Sequence, residues 1–556
     1  MAFNISPGVS IQEKDATNII PAVSTTAGGF AGTFQWGPAN IIRTVDSEKS
    51  LVSFFGKPNR DTAVSFFTAA NFLGYGNNLN VVRVLGTLAR NAVASGTAIT
   101  IPNRNVYDAQ YSLGGAVVGA FAAKYAGAFG NSIRVEICNS TGFSTWAYKG
   151  MFPTAPSTSS FALSRGGLND EVHIVVIDAL GAFTGTMGTV MERFAYVSVA
   201  SDARSDDGSS IYYKKILNDK SEYVYWMNQP DNTLNWGTPS QGTTYSSTVA
   251  VIGSTLTGGV SDDVLTDANA QSGFSLFANP ESVDVSLIPL GGASPVTAIY
   301  VINNIAEIRK DCMAFLSPNL SDVLNAVGVE ADNIITTRNG LPSSSYAAMD
   351  SGWKYQYDRY NDTYRWIPLN GDSAGLCART DLTNDPWWSP AGLNRGQIKN
   401  VVKLAYNPSK TDRDKICPLG INPVVSFPGE GTILFNDKTL LSKPSAFDQI
   451  GTRRLFIVLE KAIAKASKYI LFEFNDPFTR SQFVSFVSPF LRDIKGRRGL
   501  SDFFVLCDET NNTGQVIDGY RFAASIFVKP ARSIRNIELQ FVATPTGLSF
   551  NEVVGI

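Results

Sequence analysis

Residues 283–316 leave little choice of local fold. Val283–Ile288 reads as a strand, Val296–Arg309 places Ile299, Ile302, Ile305 and Ile308 along one stripe of a helix, and Met313–Leu316 reads as a second strand. Strand, helix and strand in that order make a βαβ unit, the building block of an α/β layer. The start of the chain offers partners for it. Strand candidates at Thr25–Phe34 and Val81–Leu85 flank a helical segment at Thr62–Phe72, so 23–86 together with 250–375 is expected to form one middle α/β domain.

Between those halves the character changes. Ser, Thr, Gly and Asn separate short apolar runs such as Ile133–Ile137 and Val172–Ile177, which predicts an inserted β-rich domain over 87–249. A chain of 556 residues has room for this, because single cores cluster at about 100 to 200 residues. With 44% hydrophobic and 17% charged residues it is a folded chain with much uncharged polar surface, and its 48 glycines favour many turns.

The last third, 376–556, carries two patterned helices. Thr452–Phe472 puts Leu455, Leu459, Ala462, Ala466 and Ile470 on one face, and Arg480–Lys495 puts Phe483, Val487, Phe490 and Ile494 on another, with Pro489 predicting a kink or break. Strands are expected at Phe503–Leu506, Arg521–Val528 and Ile534–Val542. Both ends read as extended arms. In residues 1–22, Pro7 and Gly8 exclude a helix while Val9 and Ile11 alternate with polar neighbours, and the chain closes on LSFNEVVGI, with Leu548, Phe550 and Val553 among its apolar residues.

Little in the sequence supports enzymatic or metal chemistry. The single His173, within VHIVVI, removes His-pair metal sites and most acid–base dyads, and it reads as a satisfied strand residue. Gly371-Asp372-Ser373-Ala374-Gly375 matches the letters of a serine-hydrolase nucleophile elbow, yet no histidine follows it. Gly56-Lys57 lacks the upstream glycine of a phosphate loop, and Gly291-Gly292 reads as a tight turn before a helix. Asp206-Asp207-Gly208 and Asp262-Asp263 lack calcium-loop spacing. The five cysteines form no close pair, which predicts free thiols in a reducing compartment. The start has no export signal, and no run of about 18 apolar residues predicts membrane insertion.

Net charge is formally -2, so a strong nucleic-acid footprint is absent. The charge is uneven: residues 401–556 hold 20 Lys+Arg against 15 Asp+Glu. The compact basic run is Lys495-Gly496-Arg497-Arg498-Gly499. It fits a helix C-terminus with a glycine stop, or a contact surface for an acidic partner.

Several segments resemble contractile phage tail sheath proteins, particularly the longer T-even-type forms. SPGVSIQEKD is similar to the family's N-terminal arm, and TTAGGFAGTFQWGPAN followed by FFGKPN to its first strand and Phe-Gly turn. AKYAGAFGNSIRVEI, with Tyr125, Gly127, Gly130 and Asn131, resembles an Ala-x-x-x-Gly-x-x-Gly-Asn signature. SAGLCARTDLTNDPWWSPAG resembles the Ala-Gly-x-x-Ala-Arg-Thr-Asp and Pro-Ala-Gly elements, and RRLFIVLEKAIAKASKYILFEFND opens a match to the C-terminal domain. The segments match in order over nearly the whole chain, which is shorter than the T-even sheaths.

The resemblance implies an α+β / α/β multidomain protein. Its C-terminal α/β domain, 376–556, would be completed by the N-terminal segment and face a tail tube, with Lys495, Arg497 and Arg498 as possible tube-facing residues and the β-rich insertion outside. It implies a non-enzymatic virion subunit, assembled in the host cytoplasm, forming stacked hexameric rings. Pro7, Gly8, Val9, Ile11, Leu548, Phe550 and Val553 would lie in intersubunit arms. Expected partners are copies of itself, the tail tube protein, and baseplate and tail terminator proteins; no cofactor, metal or direct nucleic acid is expected. The sheath of a headless bacteriocin-type particle or other injection system is the alternative within the family. An adhesin and a serine hydrolase are rivals from other classes.

Overall fold

The computed structural model describes residues 24–231, 233–248 and 250–535. The chain divides into two compact units, one of Ala22–Pro386 with Pro390–Lys461, the other containing Trp387–Ser389 and the chain from Ala462 onward.

The first unit is built on a seven-stranded sheet. Its order is Ile421–Asn422, Ala347–Asp350, Met313–Leu316, Leu287–Pro289, Gly28–Gly32, Leu79–Arg83 and Ile42–Val45. Every neighbouring pair is parallel except the last. The parallel strands are buried almost throughout, as a sheet covered on both faces requires, whereas the antiparallel edge strand Ile42–Val45 is largely open. Gly28 pairs with Leu287, so strands from before and after the β-rich stretch share one sheet. Because Ile421–Asn422 joins the same sheet, the boundary expected at 375/376 is displaced; it falls inside the helix Asn370–Thr383, and the unit runs on to Lys461.

The expected helix at Val296–Arg309 carries a correction of phase. It begins at Pro295 on a Ser294 cap and contains a π-helical turn at Ile302–Ala306. The wide turn absorbs one residue, so the faces beyond it rotate. Ile302 and Ile305 remain buried, but Ile308 is 67% exposed and Arg309 turns inward. There Arg309 Nη2 donates to Val283 O at 3.0 Å, and Nε and Nη2 form a fork on Asp311 at 2.7 and 2.9 Å.

Helix Ala63–Leu73 is buried nearly all round. Its close neighbour is the helix Asn370–Thr383, and the two glycines of the hydrolase-like motif explain how near the elements come. A Cβ on Gly371 would lie 2.5 Å from Thr68 O, and one on Gly375 would lie 2.6 Å from the Tyr75 ring. The motif is a packing surface. Asp372 beside it accepts from Lys354 Nζ at 2.8 Å and from Tyr75 Oη at 2.9 Å, with both charged side chains fully buried.

Lys354 belongs to an antiparallel sheet of Trp353–Asp358, Thr363–Pro368 and Lys403–Leu404 whose polarity is inverted. Lys354, Gln356 and Asp358 face inward and bond Asp372, Asn71 and Arg365. Tyr355, Tyr357, Tyr364 and Trp366 stack on the other face.

The β-rich stretch forms a four-stranded antiparallel sheet ordered Thr189–Ser198, Glu171–Asp178, Ile133–Cys138 and Ile252–Thr255, beside a pair of Phe121–Ala123 with Val224–Trp226. Its last strand lies past residue 249, so the stretch closes later than expected: Ile252 pairs with Ile137 and Thr255 with Arg134. Arg83, at the end of its strand, ties the two layers together. Its guanidinium is fully buried and donates to Phe34 O at 2.8 Å, Gly37 O at 2.8 Å, Ala126 O at 2.6 Å and Gln35 O at 3.4 Å. Burial pulls its pKa down to about 10. Arg83→Leu is expected to strand these carbonyls in the interior. Each costs about 1–3 kcal/mol, so the loss should reach about 3 kcal/mol or more. Thermal unfolding and limited proteolysis will measure it.

Candidate contact surface

The second unit is organised by the helix Pro477–Gly496. Asp476 caps it by accepting from Thr479 N at 2.7 Å, and Pro477 occupies the first helical position, where its missing N–H costs nothing. Thr479, Arg480, Phe483, Val487, Leu491 and Ile494 form its buried stripe; Leu491 replaces the expected Phe490. The helix passes through Pro489 without a break. Pro489 and Ser485 both lie on the exposed face, so the carbonyl released by the proline is open to water.

The basic run ends this helix as a Schellman turn. Arg498 N donates to Lys495 O at 3.1 Å and Gly499 N to Ile494 O at 2.9 Å. Arg498 takes the left-handed position, with φ 64, where a glycine is usual. Gly499 is set by close approach, since a Cβ there would lie 2.7 Å from Ile494 and 3.0 Å from the Trp387 ring. The cations have partners within the unit. Lys495 Nζ meets Asp502 at 2.9 Å, Arg497 lies 3.6 Å from Asp493 and 5.2 Å over Trp387, and Arg498 sits 5.3 Å over Trp388.

Two strands follow, Leu500–Leu506 and Ser525–Pro530, antiparallel with Phe504 opposite Phe527. Among the described residues this sheet has only these two strands. Phe504 and Phe527 stack on an exposed face. The expected strand at Arg521–Val528 begins later, at Ser525, and residues 534–535 are irregular; 536–542 lie outside the described residues. The arm residues Pro7, Gly8, Val9, Ile11, Leu548, Phe550 and Val553 also lie outside them.

At the other end of the helix a different surface was missed. The helix expected to reach Phe472 stops at Ser467, with one 3-10 turn at Lys468–Ile470, leaving LFEFND (471–476) to connect it to the next helix, with Tyr469, Leu471, Phe472, Phe474 and Phe478 exposed. The signal was present in the sequence as an aromatic-rich break between two amphipathic patterns.

Residues with chemical potential are occupied structurally. Ser373 lies within the helix Asn370–Thr383 rather than at a strand–helix elbow. Asn370 accepts from Gly291 N at 2.9 Å and donates to Gly291 O at 2.8 Å, filling the crevice at the ends of the parallel strands where such sheets take ligands. His173 accepts from Tyr196 N through Nδ1 at 3.1 Å, which places its proton on Nε2, donated to Thr154 O at 2.9 Å. Phe152 stacks on its ring at 4.2 Å. Asp207 accepts from Ser209 and Ser205, and Asp262 from Leu88 N at 2.8 Å, as turn residues. Among the described residues no group of three His, Cys, Asp or Glu could hold a metal ion, and no helix is long and apolar enough to cross a membrane. All five cysteines are free.

Comparison with known proteins accounts for an architecture of this kind. Residues 25–84 match the tail sheath protein Gp18 domain III N-terminal region, 271–440 the phage tail sheath protein central domain, and 442–544 the phage tail sheath C-terminal domain. The tail sheath protein of Vibrio phage KVP40 is 33% identical, with 99% of this chain and 100% of the relative covered. The chain belongs to the phage tail sheath family.

The alignment with that relative runs over 673 positions against 556 residues here, so the relative carries segments that this sheath protein lacks. The fold is shared more widely. A sheath tail protein of Desulfitobacterium hafniense superposes with TM-score 0.54 at 11% identity, covering 90% of this chain and 94% of the other. The anti-feeding prophage helical sheath in the contracted state gives 0.52 at 12% identity, covering 98% and 100%.

Two expectations follow for this sheath protein. Burial lowers the pKa of His173, which stays neutral in the fold and would face the Tyr196 N–H with a second proton if charged. The unfolded chain takes up a proton below about pH 6.5 that the folded chain refuses. Stability is therefore present above about pH 6.5 and lost as pH falls, by up to about 1.4 kcal/mol per pH unit. Thermal melts from pH 7.5 to 5.5 should show this loss as the difference between the unsubstituted protein and His173→Gln, because the buried Asp350, its pKa raised by desolvation to about 8, contributes a slope of opposite sign to both. In the second unit, Gly499→Ala should cost about 1–3 kcal/mol by overpacking, whereas Arg498→Gly should stay within about 1 kcal/mol of neutral. Tryptophan fluorescence during unfolding reads both.

Proposed function

We propose that this chain is a non-enzymatic structural subunit that polymerises as stacked hexameric rings around a tail tube. Rearranged subunit contacts then shorten the polymer and drive the tube through the host envelope for genome delivery. Membership of the tail sheath family supports the reading, and one structural observation carries it. Among the described residues the sheet Leu500–Leu506 with Ser525–Pro530 has two strands, and its edges suit strands supplied from elsewhere.

The strands come from the terminal arms. Residues 1–22, with Pro7, Gly8, Val9 and Ile11, and the closing segment, with Leu548, Phe550 and Val553, add to sheets of neighbouring subunits. Ordering about 12 arm residues costs roughly 12–24 kcal/mol, which main-chain pairing and side-chain pockets must offset, so the arms order on assembly. The unit from Ala462 onward lies innermost, against the tube, and the β-rich stretch lies outside. Baseplate and tail terminator proteins bound the polymer, which forms in the host cytoplasm. The phage relatives favour a virion over the sheath of a headless injection particle. Lys495, Arg497 and Arg498 can meet the tube only by exchanging or sharing the partners they have within the unit.

Deleting residues 1–20 should give a folded subunit that builds no stable sheath, because about five backbone hydrogen bonds at roughly 0.5–1.5 kcal/mol each disappear per junction. Circular dichroism tests folding, and sedimentation with electron microscopy tests polymerisation on tubes. Normal sheaths from the truncated protein would refute arm exchange, and failure to fold would show that the segment completes its own subunit.

A further inference from the structure

Lys354 and Asp372 face each other with both side chains at 0% exposure and Nζ 2.8 Å from Oδ1. Lys124, Lys215, Lys415, Lys461 and Lys495 also pair with carboxylates, but each keeps part of its side chain in water. Arg454 and Asp381 are buried almost as deeply, yet a guanidinium is delocalised and stays charged, so it is no nucleophile. A lysine nitrogen becomes one when it loses its proton in a desolvated site. Desolvation lowers the pKa of Lys354 and raises that of Asp372, so burial draws the shared proton from the amine toward the carboxyl.

The hydrogen bonds around the pair are those an amide would make. Tyr75 Oη donates to Asp372 Oδ1 at 2.9 Å, and Lys354 Nζ donates to Lys399 O at 2.9 Å. Asp372 Oδ2 is buried and has no hydrogen-bond partner among the described residues. A carboxylate is unfavourable in the interior with one oxygen bare, whereas an amide formed by loss of that oxygen leaves no orphan: Oδ1 keeps Tyr75, and the remaining N–H keeps Lys399 O. Asp372 also lines a cavity of about 70 Å³ with Asn71, Tyr75, Gln356 and Lys399, which has room for a departing water of about 30 Å³. Both reactants are held in place. Lys354 pairs with Ile367 and Leu404 inside its sheet, and Asp372 stands in the first turn of a helix pressed against Thr68. Fixed proximity of this kind replaces an encounter that solution chemistry would have to wait for.

We propose that Lys354 and Asp372 condense in the folded chain to an intramolecular isopeptide bond. With the proton of the ion pair resting on Oδ2, the neutral Nζ adds to Cγ and passes a second proton to Oδ2. The Cγ–Oδ2 bond breaks, one water leaves, and the ion pair becomes a neutral amide without any oxidant, cofactor or second reactant. The bond ties the inverted sheet to the helix Asn370–Thr383 within the first unit, and it does not depend on the polymer proposed above.

The test is the intact mass of the unsubstituted full-length protein, unfolded in acid before measurement, which is expected to read one water less than the sequence requires. Cleavage after arginine then cuts at Arg359 and Arg365, between the two partners, and should leave residues 339–359 joined to 366–379. Fragmentation of that product should place the link at Lys354 and Asp372. A full sequence mass with the two peptides separate would overturn the proposal and leave an ion pair. So would a lighter mass without the joined product, as from a succinimide at Asp207-Gly208. Lys354→Arg, which keeps a cation and its donors, should return to the full mass; a mass still one water short would place the loss elsewhere and also overturn the proposal.

Discussion

A guanidinium buried among four carbonyl oxygens holds the first unit together. Arg83 ends the last parallel strand of the sheet and reaches the loop at Phe34, Gln35 and Gly37 and the β-rich stretch at Ala126. Three of those carbonyls belong to the loop joining Gly28–Gly32 to Ile42–Val45 and the fourth to the β-rich stretch, and irregular backbone of that kind cannot be buried without donors. A single side chain with five N–H groups in a fixed fork supplies them. The insertion is thus not merely spliced between strands; it is anchored on the same residue that terminates one.

Polar pairs do similar work elsewhere in this unit. Lys354 with Asp372 and Gln356 with Asn71 fix the inverted hairpin sheet, and Arg454 with Asp381 fixes the helix Ile450–Ser467. Each is a buried group with a geometric demand, so each specifies one arrangement more sharply than an apolar contact would. The aromatic faces that this leaves outward are a consequence of where the charges went.

Periodicity in the sequence revealed four of the parallel strands, the helices of the last third and the two central strands of the β-rich stretch, because their apolar spacing matches their burial, but not the strand Ala347–Asp350. Boundaries were less legible. Ile421–Asn422 is too short to announce itself as the edge strand of a sheet begun at Gly28, and Ile252–Thr255 is an alternating edge strand that periodicity cannot assign to one domain or the next. For the contact surface, the basic run was legible as a feature but not as a neutralised one, since Asp502, Asp493 and Trp388 approach it only in the fold. The aromatic loop was hidden by continuity: Tyr469, Leu471 and Phe472 extend a helical pattern that the backbone abandons at Ser467.

The π turn at Ile302–Ala306 separates the length of one helix from its sidedness. Upstream residues and downstream residues keep separate registers, and the wide turn is what lets Arg309 reach Asp311 while Ile308 points away. Losing any one residue in that turn would leave the composition and the hydropathy profile almost unaltered. It would also leave the two neighbours in place, because a regular α turn one residue shorter restores the phase that the wide turn now holds, with Ile308 toward water and Arg309 toward the carbonyl of Val283. At this place the fold can absorb a change of count, so that a closely related sequence with one residue fewer between Ser294 and Asp311 should carry an unbroken α-helix with the same faces turned inward.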